Sequence, residues 1–251
     1  MTHEKQTLSV KDFFDSRAES YHRVSRWAAD EKLNSKTDEF LCGLSGRVAL
    51  DLGAGTGTLI SRISGFQTKI ALDISPKMLS QIEDPSIHKI VGDVHCLQLP
   101  DDYADLIVCR QVLHYCDLTV AFQNIMRVLS REGWLHIVQV VDLDNVSESW
   151  DQEWARFRNV GDRRHQRRFE LEKCYFENFL RVIKSEYLKL RDEYSWGDFF
   201  VKNNVDKERE REVKNFFQMT PKEIVEQIDL QIDSDRIAYN RVFGFWLLQR
   251  L

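Results

Sequence analysis

The sequence predicts an α/β protein built on a doubly wound, mostly parallel sheet of seven strands, with the last strand antiparallel. Short apolar runs alternate with helical segments between residues 44 and 142, as in parallel sheets that helices cover on both faces. The run Arg47–Leu52 leads directly into the glycine-rich segment Gly53–Gly57. Two late apolar segments extend the sheet at one edge. This pattern is typical of a Rossmann-like fold.

The individual elements follow from the position of the apolar runs and of the residues that break them. Aromatic residues at roughly helical spacing predict helix over residues 8–40. Proline suits the first turn of a helix, so Ser75-Pro76 predicts a helix start. Two more helices are predicted at Thr58–Ile63 and Val120–Leu129. The first five strands are predicted at 47–52, 69–73, 88–93, 104–109 and 134–141.

The later part of the chain has a different composition. Residues 142–204 are rich in large aromatic side chains, which predict either the core of a cap or an apolar pocket. The sequence predicts helices near 147–160 and 170–182 and a strand over 183–195. The charged run from Asp206 begins a helix that reaches about Ile228, and Arg236–Leu248 forms the closing strand.

We therefore expect a single domain over residues 1–251 in four parts. Residues 8–43 form a helical N-terminal lid and residues 44–142 form the binding core. Residues 143–204 form an inserted cap and a late strand, and residues 205–251 form the C-terminal helix and strand. The length is ample for a substantial buried core.

Composition excludes several classes of protein. The 251 residues are 43% hydrophobic and 30% charged, and 40 acidic against 35 basic residues give a net charge of −5. That balance disfavours a nucleic-acid partner. The polar start Met1–Gln6 and the lack of a stretch of about 20 apolar residues predict neither a secretory leader nor a membrane partner. Five cysteines without CxxC spacing predict a reduced, cytoplasmic chain with no disulfide framework, and no metal site stands out.

Acidic residues mark the ends of three successive strands. Asp51 comes directly before the glycine loop, Asp73 ends the next strand, and Asp93 follows the third. An acid at the position of Asp73 is placed to accept hydrogen bonds from the hydroxyl groups of a ribose. The glycines are spaced G-x-G-x-G, and the neighbouring Asp51 would repel the pyrophosphate of a dinucleotide. The loop therefore favours a ligand that carries an amino group and a sulfonium.

An ordered set of motifs over about residues 45–141 resembles one family. The matching segments are Val48–Gly57, Ala71–Leu79, Gly92–Val94 with Leu99-Pro100, Tyr103–Val108 and Arg127–Trp134. They are similar to the class I S-adenosylmethionine-dependent methyltransferases, and within that class to the small-molecule enzymes of the ubiquinone and menaquinone biosynthesis type.

The resemblance implies a cofactor, a product and a set of contacts. The cofactor would be S-adenosylmethionine and the product S-adenosylhomocysteine. Glycines of the loop and Asp51 would hold the methionine portion, with Cys109 or Arg110 beside it. Asp73 would hold the ribose, and Tyr21 would close over the ligand, although it could equally be a core residue. The implied contacts are Tyr21, Asp51, Gly53, Gly55, Asp73, Ile74, Met78, Asp93, Val94, Cys109 and Arg110.

Two of these assignments have simpler alternatives. The glycine loop could be only a tight turn, and Asp93 could only cap a helix. For proton transfer, His114 is the first candidate base and His165 the second, because the pKa of histidine lies near neutrality. Either histidine could instead have a purely structural role.

We expect a small organic acceptor that is methylated at oxygen, nitrogen or carbon. The oligomeric state is open, and a homodimer is one possibility. One alternative is a carboxyl methyltransferase that acts on an acyl-carrier thioester. The arginines at 163, 164, 167 and 168 would then meet an acidic acceptor, or they would form only a solvated helix face. A dehydrogenase, which the glycine spacing disfavours, and a non-methylating protein that binds the cofactor complete the alternatives.

Overall fold

A computed structural model of the protein describes residues 9–141 and 168–250, together with Trp150, Glu153, Trp154 and Phe157. The strands are β1 Gly46–Leu52, β2 Phe66–Asp73, β3 Ile87–Val91, β4 Ala104–Arg110, β5 Leu129–Val141, β6 Leu180–Ser195, β7 Gln231–Ile232 and β8 Arg236–Arg250. The α-helices are α1 Val10–Arg17, α2 Tyr21–Val24, α3 Glu31–Leu41, α4 Pro76–Leu79, α5 Leu118–Val128, α6 Arg168–Glu177, α7 Trp196–Asn203, α8 Glu210–Gln218 and α9 Lys222–Ile228.

The strands form one sheet in the order β3-β2-β1-β4-β5-β8-β6. The first five strands are parallel to one another, and β8 lies antiparallel between β5 and β6. This arrangement confirms the predicted doubly wound fold with an antiparallel last strand. The sheet has one strand more than the seven predicted. This additional strand is the two-residue β7, which pairs with β8.

The central strands are buried on both faces, as the continuous apolar runs predict. One face of β1 and β4 presents Leu50, Leu52 and Ile107 to a core that includes helix α5. The other face presents Ala49, Leu106 and Val108 to a second core. Because the side chains alternate along each strand, Asp51 and Arg110 belong to this second face, at the carboxyl end of their strands.

Helix α3 covers the same face further along the sheet. Its Leu33 and Phe40 are buried against Phe243 and Phe245 of β8. The N-terminal region is helical, as predicted, but it is divided. Short 3₁₀ helices at Ala18–Ser20 and Arg26–Ala29 separate α1, α2 and α3.

The predicted helix at Thr58–Ile63 is wrong, because this segment consists of turns. The N–H of Ser61 donates to the carbonyl of Gly57, four residues back, but the next two bonds, from Arg62 to Leu59 and from Ile63 to Ile60, span three residues, so an α-helical ladder does not continue. The segment lies between Gly57 and Gly65, both at positive φ. Few residues separate these two glycines, and several of them are β-branched, which disfavours a stable helix.

Two other predicted helices have different boundaries. The helix expected over 170–182 ends at Glu177, and β6 begins at Leu180. The helix expected from Asp206 to about Ile228 is interrupted by Pro221, which has no N–H to donate and disfavours helical backbone at Thr220. A 3₁₀ turn, α8 and α9 occupy this region. The helix predicted near 147–160 lies largely outside the described residues.

Aromatic side chains of the cap region pack against one another. Trp154, Phe199 and Phe217 are buried in one cluster together with aliphatic residues of α8, α9 and β8. The indole of Trp154 stacks on the ring of Phe199 at 5.5 Å. At these positions the aromatic residues form a core. Within the described part of the chain, no helix is long and apolar enough to cross a lipid bilayer.

Candidate functional site

The glycine loop after β1 has a backbone that only glycine adopts easily. Gly53, Gly55 and Gly57 have φ angles of +66°, +56° and +78°. The N–H of Gly53 donates to the carbonyl of Leu72 at 2.8 Å, which ties the loop to the end of β2. A Cβ atom at Gly53 would lie 2.1 Å from Cγ2 of Val112. The loop therefore requires glycine for both conformation and space.

A pocket opens between this loop, the carboxyl ends of β2 and β4, and the N-terminal helices. Its lining is mainly apolar, with a few convergent polar groups, as is usual for ligand sites. The lining residues are Val10, Phe14, Tyr21, Gly53, Gly55, Leu72, Asp73, Ile74, Met78, Gly92, Asp93, Val94, His95, Arg110, Gln111, Val112, Tyr115 and Cys116.

Asp73 holds the loop and the following helix in place. Its Oδ2 accepts a hydrogen bond from the N–H of Gly55 at 2.8 Å, and its Oδ1 accepts one from the N–H of Ser75 at 2.8 Å. Burial raises the pKa of the Asp73 carboxyl, and the two backbone donors oppose that rise. Each carboxylate oxygen keeps a second lone pair, so Asp73 can still accept hydrogen bonds from a ligand.

Asp93 lies at the far end of the pocket and has a second role. Its Oδ1 accepts from the N–H of His95 and caps the 3₁₀ helix Val94–Cys96. The same oxygen lies 2.7 Å from Nδ1 of His95. Nε2 of His95 accepts a hydrogen bond from the N–H of Asp117 at 2.9 Å, so the ring proton is on Nδ1. Both interpretations of Asp93, cap and pocket residue, are therefore compatible with its position.

Asp51 and Arg110 form a buried pair of charges behind the loop. Burial raises the pKa of Asp51 to about 7, although Arg110 opposes the rise. Oδ2 of Asp51 is buried and has no hydrogen-bond partner. The guanidinium of Arg110 donates to Oδ1 of Asn34 on α3 at 2.7 Å and stacks on the indole of Trp27. An unpartnered carboxylate oxygen in this setting is a place where a ligand donor would bind.

The N-terminal helices bring aromatic rings to the pocket. Phe14 on α1 contacts the rings of Tyr21 and Tyr115, at centroid distances of 6.4 and 5.4 Å. Burial raises the pKa of Tyr21 to about 12, so its hydroxyl is protonated at neutral pH. Oδ1 of Asp15 accepts from the hydroxyl of Ser75 and so fastens α1 to the start of α4.

His114 is buried and lies behind the pocket wall instead of lining it. Only 6% of the residue is exposed. Its Nδ1 is 2.8 Å from the side-chain nitrogen of Gln139 on β5, and its ring packs on that of Tyr115 at 4.1 Å. Oε1 of Gln139 is buried without a partner. The Gln139 side chain therefore faces His114 from the neighbouring strand.

The structure brings most of the predicted contact residues together around one pocket. Cys109 and Arg110 were alternatives in the sequence analysis. The Cys109 side chain is buried in the core on the opposite face of the sheet, so Arg110 is the one at the pocket. Asp51 and His114 lie behind the pocket wall, and His165 lies outside the described residues. The predicted residues that line the pocket are Tyr21, Gly53, Gly55, Asp73, Ile74, Met78, Asp93, Val94 and Arg110.

Several pocket residues were not singled out from the sequence. Val10 precedes Tyr21 on the N-terminal helices, and His95 follows Asp93 by two positions. Gln111 directly follows β4 and has a φ of +60°, which is uncommon for a residue other than glycine. Strained residues of this kind cluster at binding sites. The position of His95 and Gln111 close to strand ends was a usable signal, but their residue types were not.

Comparison with known proteins agrees with the fold and with the loop. Residues 50–137 match the family described as a methyltransferase domain. An uncharacterised methyltransferase-like protein of Schizosaccharomyces pombe is 32% identical over 133 residues, which cover 51% of this chain and 48% of that protein. A malonyl-[acyl-carrier protein] O-methyltransferase of Dechloromonas aromatica is 28% identical over 161 residues, 62% of this chain and 58% of that protein. The chain spans about half the length of the first curated relatives that it matches.

A solved structure supports the same fold. The phosphoethanolamine N-methyltransferase 2 of Haemonchus contortus, in complex with S-adenosyl-L-methionine, superposes with a TM-score of 0.62 at 16% identity and covers 98% of this chain and 61% of that one. The chain therefore has a methyltransferase domain on a Rossmann-like sheet. The matched domain and the fold support a class I S-adenosylmethionine-dependent methyltransferase, with S-adenosylmethionine as its cofactor. The resemblance to the ubiquinone and menaquinone type stays a prediction.

The residues of the site fit an adenosyl sulfonium. The buried, unpartnered Oδ2 of Asp51 suits the ammonium group of the methionine portion. A Cβ at Gly55 would lie 3.3 Å from the Met78 methyl group, so the absence of a side chain keeps the slot open. Ile74, Met78 and Val94 line the pocket with apolar side chains, on which an adenine ring would pack. Among the described residues, no three His, Cys, Asp or Glu side chains are grouped as a metal ion would require.

Replacement of Gly53 by alanine should destabilise the protein. Alanine at this position would have to keep an unfavourable positive φ, and its Cβ atom would collide with Val112. We expect the free energy of unfolding in urea to fall by about 1–3 kcal/mol. The control is the cycle with Val112→Ala, in which removal of Cγ2 relieves the collision. Equal losses for Gly53→Ala in the two backgrounds would contradict the predicted close contact.

The pKa of Asp51 predicts a pH dependence of ligand binding. The carboxyl is ionised only above about pH 7, and an ammonium group binds the ionised form. The affinity for S-adenosylhomocysteine should therefore rise up to about tenfold per pH unit as the pH increases towards 7. Isothermal calorimetry at several pH values measures this rise.

Two controls separate Asp51 from its neighbours. 5′-Methylthioadenosine lacks the ammonium group but reaches Asp73, so titration of Asp73 affects both ligands. The steeper pH dependence of S-adenosylhomocysteine should disappear in Asp51→Asn. If the two ligands show the same pH dependence in the wild-type protein, Asp51 does not face the ammonium group.

Proposed function

We propose that this protein transfers a methyl group from S-adenosylmethionine to a small organic acceptor. One observation carries the proposal: Asp73, Asp93 and the glycine loop line the same pocket, and Asp51 lies directly behind the loop. The chain that forms this pocket also matches a methyltransferase domain. The acidic groups stand at the ends of successive parallel strands, where open α/β sheets bind ligands. Their charges suit a cationic nucleoside better than a pyrophosphate.

Within this proposal each part of the pocket has a role. Asp73 accepts hydrogen bonds from the ribose hydroxyls with its remaining lone pairs. Asp93 and the backbone of Val94 contact the edge of the adenine, and Ile74 and Met78 pack on its faces. Gly53 and Gly55 let the methionine portion approach the main chain, with Asp51 and Arg110 at its charged end. Tyr21 closes the pocket from the side of α2.

Methyl transfer requires alignment of the acceptor with the methyl group and exclusion of water more than it requires a fixed catalytic group. S-Adenosylmethionine supplies an activated methyl group, which passes in line to the acceptor as the sulfur–carbon bond breaks and S-adenosylhomocysteine forms. The apolar lining and the aromatic residues Phe14, Tyr21 and Tyr115 exclude water and hold the acceptor in line. A base is required only when the acceptor atom carries a proton that must leave.

His114 is the proposed base, and Gln139 is a positioning residue for it. For Nε2 of His114 to accept a proton, Nδ1 must carry its own proton and donate it. Gln139 meets this need when its amide presents Oε1 to Nδ1. That orientation also gives a partner to the buried Oε1. His165, the second candidate, stays a prediction.

A carboxyl methyltransferase that acts on an acyl-carrier thioester is the second candidate function. The match to the malonyl-[acyl-carrier protein] O-methyltransferase favours it. Formation of S-adenosylhomocysteine with free acids and amines, compared with acyl-carrier thioesters, distinguishes the two functions. Charge reversal at Arg163, Arg164, Arg167 and Arg168 should abolish turnover only if an acidic carrier is the partner. No product with any acceptor, despite tight cofactor binding, would favour a non-methylating protein.

Replacement of Asp73 by alanine should weaken cofactor binding by about 1–3 kcal/mol, the scale of a lost charge-assisted hydrogen bond. Asp73→Asn is the matched control, because its amide oxygen can still accept the hydrogen bond from Gly55. We expect the asparagine variant to keep more stability than the alanine variant and yet to bind S-adenosylhomocysteine weakly. Unchanged affinity of both variants in calorimetry would remove Asp73 from the ribose site.

Replacement of His114 by alanine should lower turnover at saturating acceptor, while cofactor affinity stays near that of the wild type. The loss should be about 10²–10⁴-fold if His114 transfers a proton. Gln139→Leu removes the partner of Nδ1, so it should shift the pH optimum of turnover and not only its rate. A rate for His114→Ala equal to that of the wild type would exclude a catalytic histidine at this position.

A further inference from the structure

A polar side chain at the end of β4 has a buried donor in the pocket that no other group satisfies. Gln111 directly follows β4 and lines the pocket. Its side-chain nitrogen Nε2 is buried and has no hydrogen-bond partner. An amide nitrogen carries two N–H donors, and burial of a donor without a partner is costly. The position therefore suits a ligand atom that accepts a hydrogen bond.

The main chain holds Gln111 next to the glycine loop. The N–H of Gln111 donates to the carbonyl of Val138 on β5 at 2.9 Å. The φ angle of Gln111 is +60°, which is uncommon for a residue with a long side chain. The next residue, Val112, fills the space beside Gly53 in which a Cβ atom would lie. Backbone contacts, and not the side-chain amide, thus fix the position of Gln111, so the amide is available to a ligand.

The order of the strands arranges the polar groups of the pocket in a row. Along the carboxyl edge the strands follow one another as β3, β2, β1 and β4. Asp93 follows β3, Asp73 ends β2, the glycine loop follows β1, and Gln111 follows β4. In the proposed function the adenine lies at Asp93, the ribose at Asp73 and the methionine portion at the loop. Gln111 is next in the row, so it faces the methionine end of the cofactor and the space in line with the methyl group.

The cofactor offers few atoms at this end that accept a hydrogen bond from Gln111. Its sulfonium and ammonium groups are cations and do not accept hydrogen bonds. Its carboxylate has a charged donor in Arg110, which lines the same end of the pocket. The methyl acceptor is the remaining ligand for the amide of Gln111.

An oxygen of the acceptor suits this donor better than an amine nitrogen does. An amine nitrogen has one lone pair, and transfer of the methyl group uses it. An oxygen has two lone pairs, so it can accept a hydrogen bond with one and the methyl group with the other. A neutral oxygen also suits a neutral amide that shares its pocket with the aromatic rings of Phe14, Tyr21 and Tyr115.

We propose that Nε2 of Gln111 donates a hydrogen bond to a neutral carbonyl or hydroxyl oxygen of the methyl acceptor, located at the methylated atom or beside it. This oxygen supplies the partner that the buried amide lacks, and the hydrogen bond holds the acceptor in line with the methyl group. A compound of the same shape without the oxygen is rejected, because it leaves the amide unpaired. This inference rests on the proposed function, since it names the chemical class of the acceptor.

The test compares ketones with alkenes of the same shape on the full chain saturated with S-adenosylhomocysteine. Cyclohexanone is paired with methylenecyclohexane and acetophenone with α-methylstyrene, and only the ketone of each pair accepts a hydrogen bond. NMR of isotope-labelled protein follows binding and the side-chain amide signals of Gln111. We expect at least one ketone to bind about tenfold more tightly than its alkene and to shift these amide signals. Equal binding within both pairs, or no binding of either ketone, overturns the proposal.

Variants separate a contact with the acceptor from a purely structural role. Gln111→Met keeps an unbranched side chain of similar length and removes the donor, so the preference for the ketone should disappear. Gln111→Gly relieves the positive φ, so it stays folded, and it should lose the preference as well. Gln123→Met, at an exposed glutamine of α5, is the matched control and should keep the preference. A ketone preference that persists in Gln111→Met overturns the proposal.

The affinity for S-adenosylhomocysteine distinguishes the acceptor from the cofactor. If Gln111→Met weakens binding of S-adenosylhomocysteine as much as it weakens binding of the ketone, the amide binds the cofactor carboxylate and the proposal is overturned. Failure of S-adenosylhomocysteine to bind the wild type contradicts the proposed function instead.

Discussion

The two backbone hydrogen bonds that Asp73 accepts are the constraint on which the site depends. One fixes the N–H of Gly55 and the other that of Ser75, so a single carboxylate positions both the glycine loop after β1 and the start of α4 after β2. The loop can take this shape only because its glycines tolerate positive φ. The parallel pairing of β1 and β2 brings the two segments side by side, and the slot between them follows.

Burial of acidic and basic groups at this edge has a cost that a ligand can offset. Burial raises the pKa values of Asp51 and Asp73, which means that their ionised forms are disfavoured in the protein alone. A raised pKa of a carboxyl lowers the stability of the folded state as the pH rises from about 4 towards 7, because the native protein then binds more protons than the unfolded chain. A cationic ligand favours the ionised carboxylates.

The sequence predicts the residues at the carboxyl edge of the sheet well where the order of the strands and the alternation of side chains determine their positions. Asp51, Asp73 and Asp93 each follow an apolar run, so a parallel sheet brings their backbones to one edge. Alternation also explains why Arg110 faces the pocket and Cys109 the core, but choosing between them required the register of β4. The turns at Thr58–Ile63 depend on the glycines on either side, which override helical spacing. The ion pair between Asp192 and Arg241 depends on the antiparallel pairing of β6 with β8, which are about fifty residues apart in the chain, and no local pattern in the sequence predicts it.

The central claim is that the slot between the glycine loop and Asp73 takes an adenosyl sulfonium. A crystal structure of the protein grown with S-adenosylhomocysteine tests this claim most directly. We expect the ribose on the carboxylate of Asp73, the adenine between Met78 and Val94, and the ammonium group near Oδ2 of Asp51. An adenosine group bound elsewhere, or a slot filled by protein side chains in the presence of saturating ligand, would contradict the account.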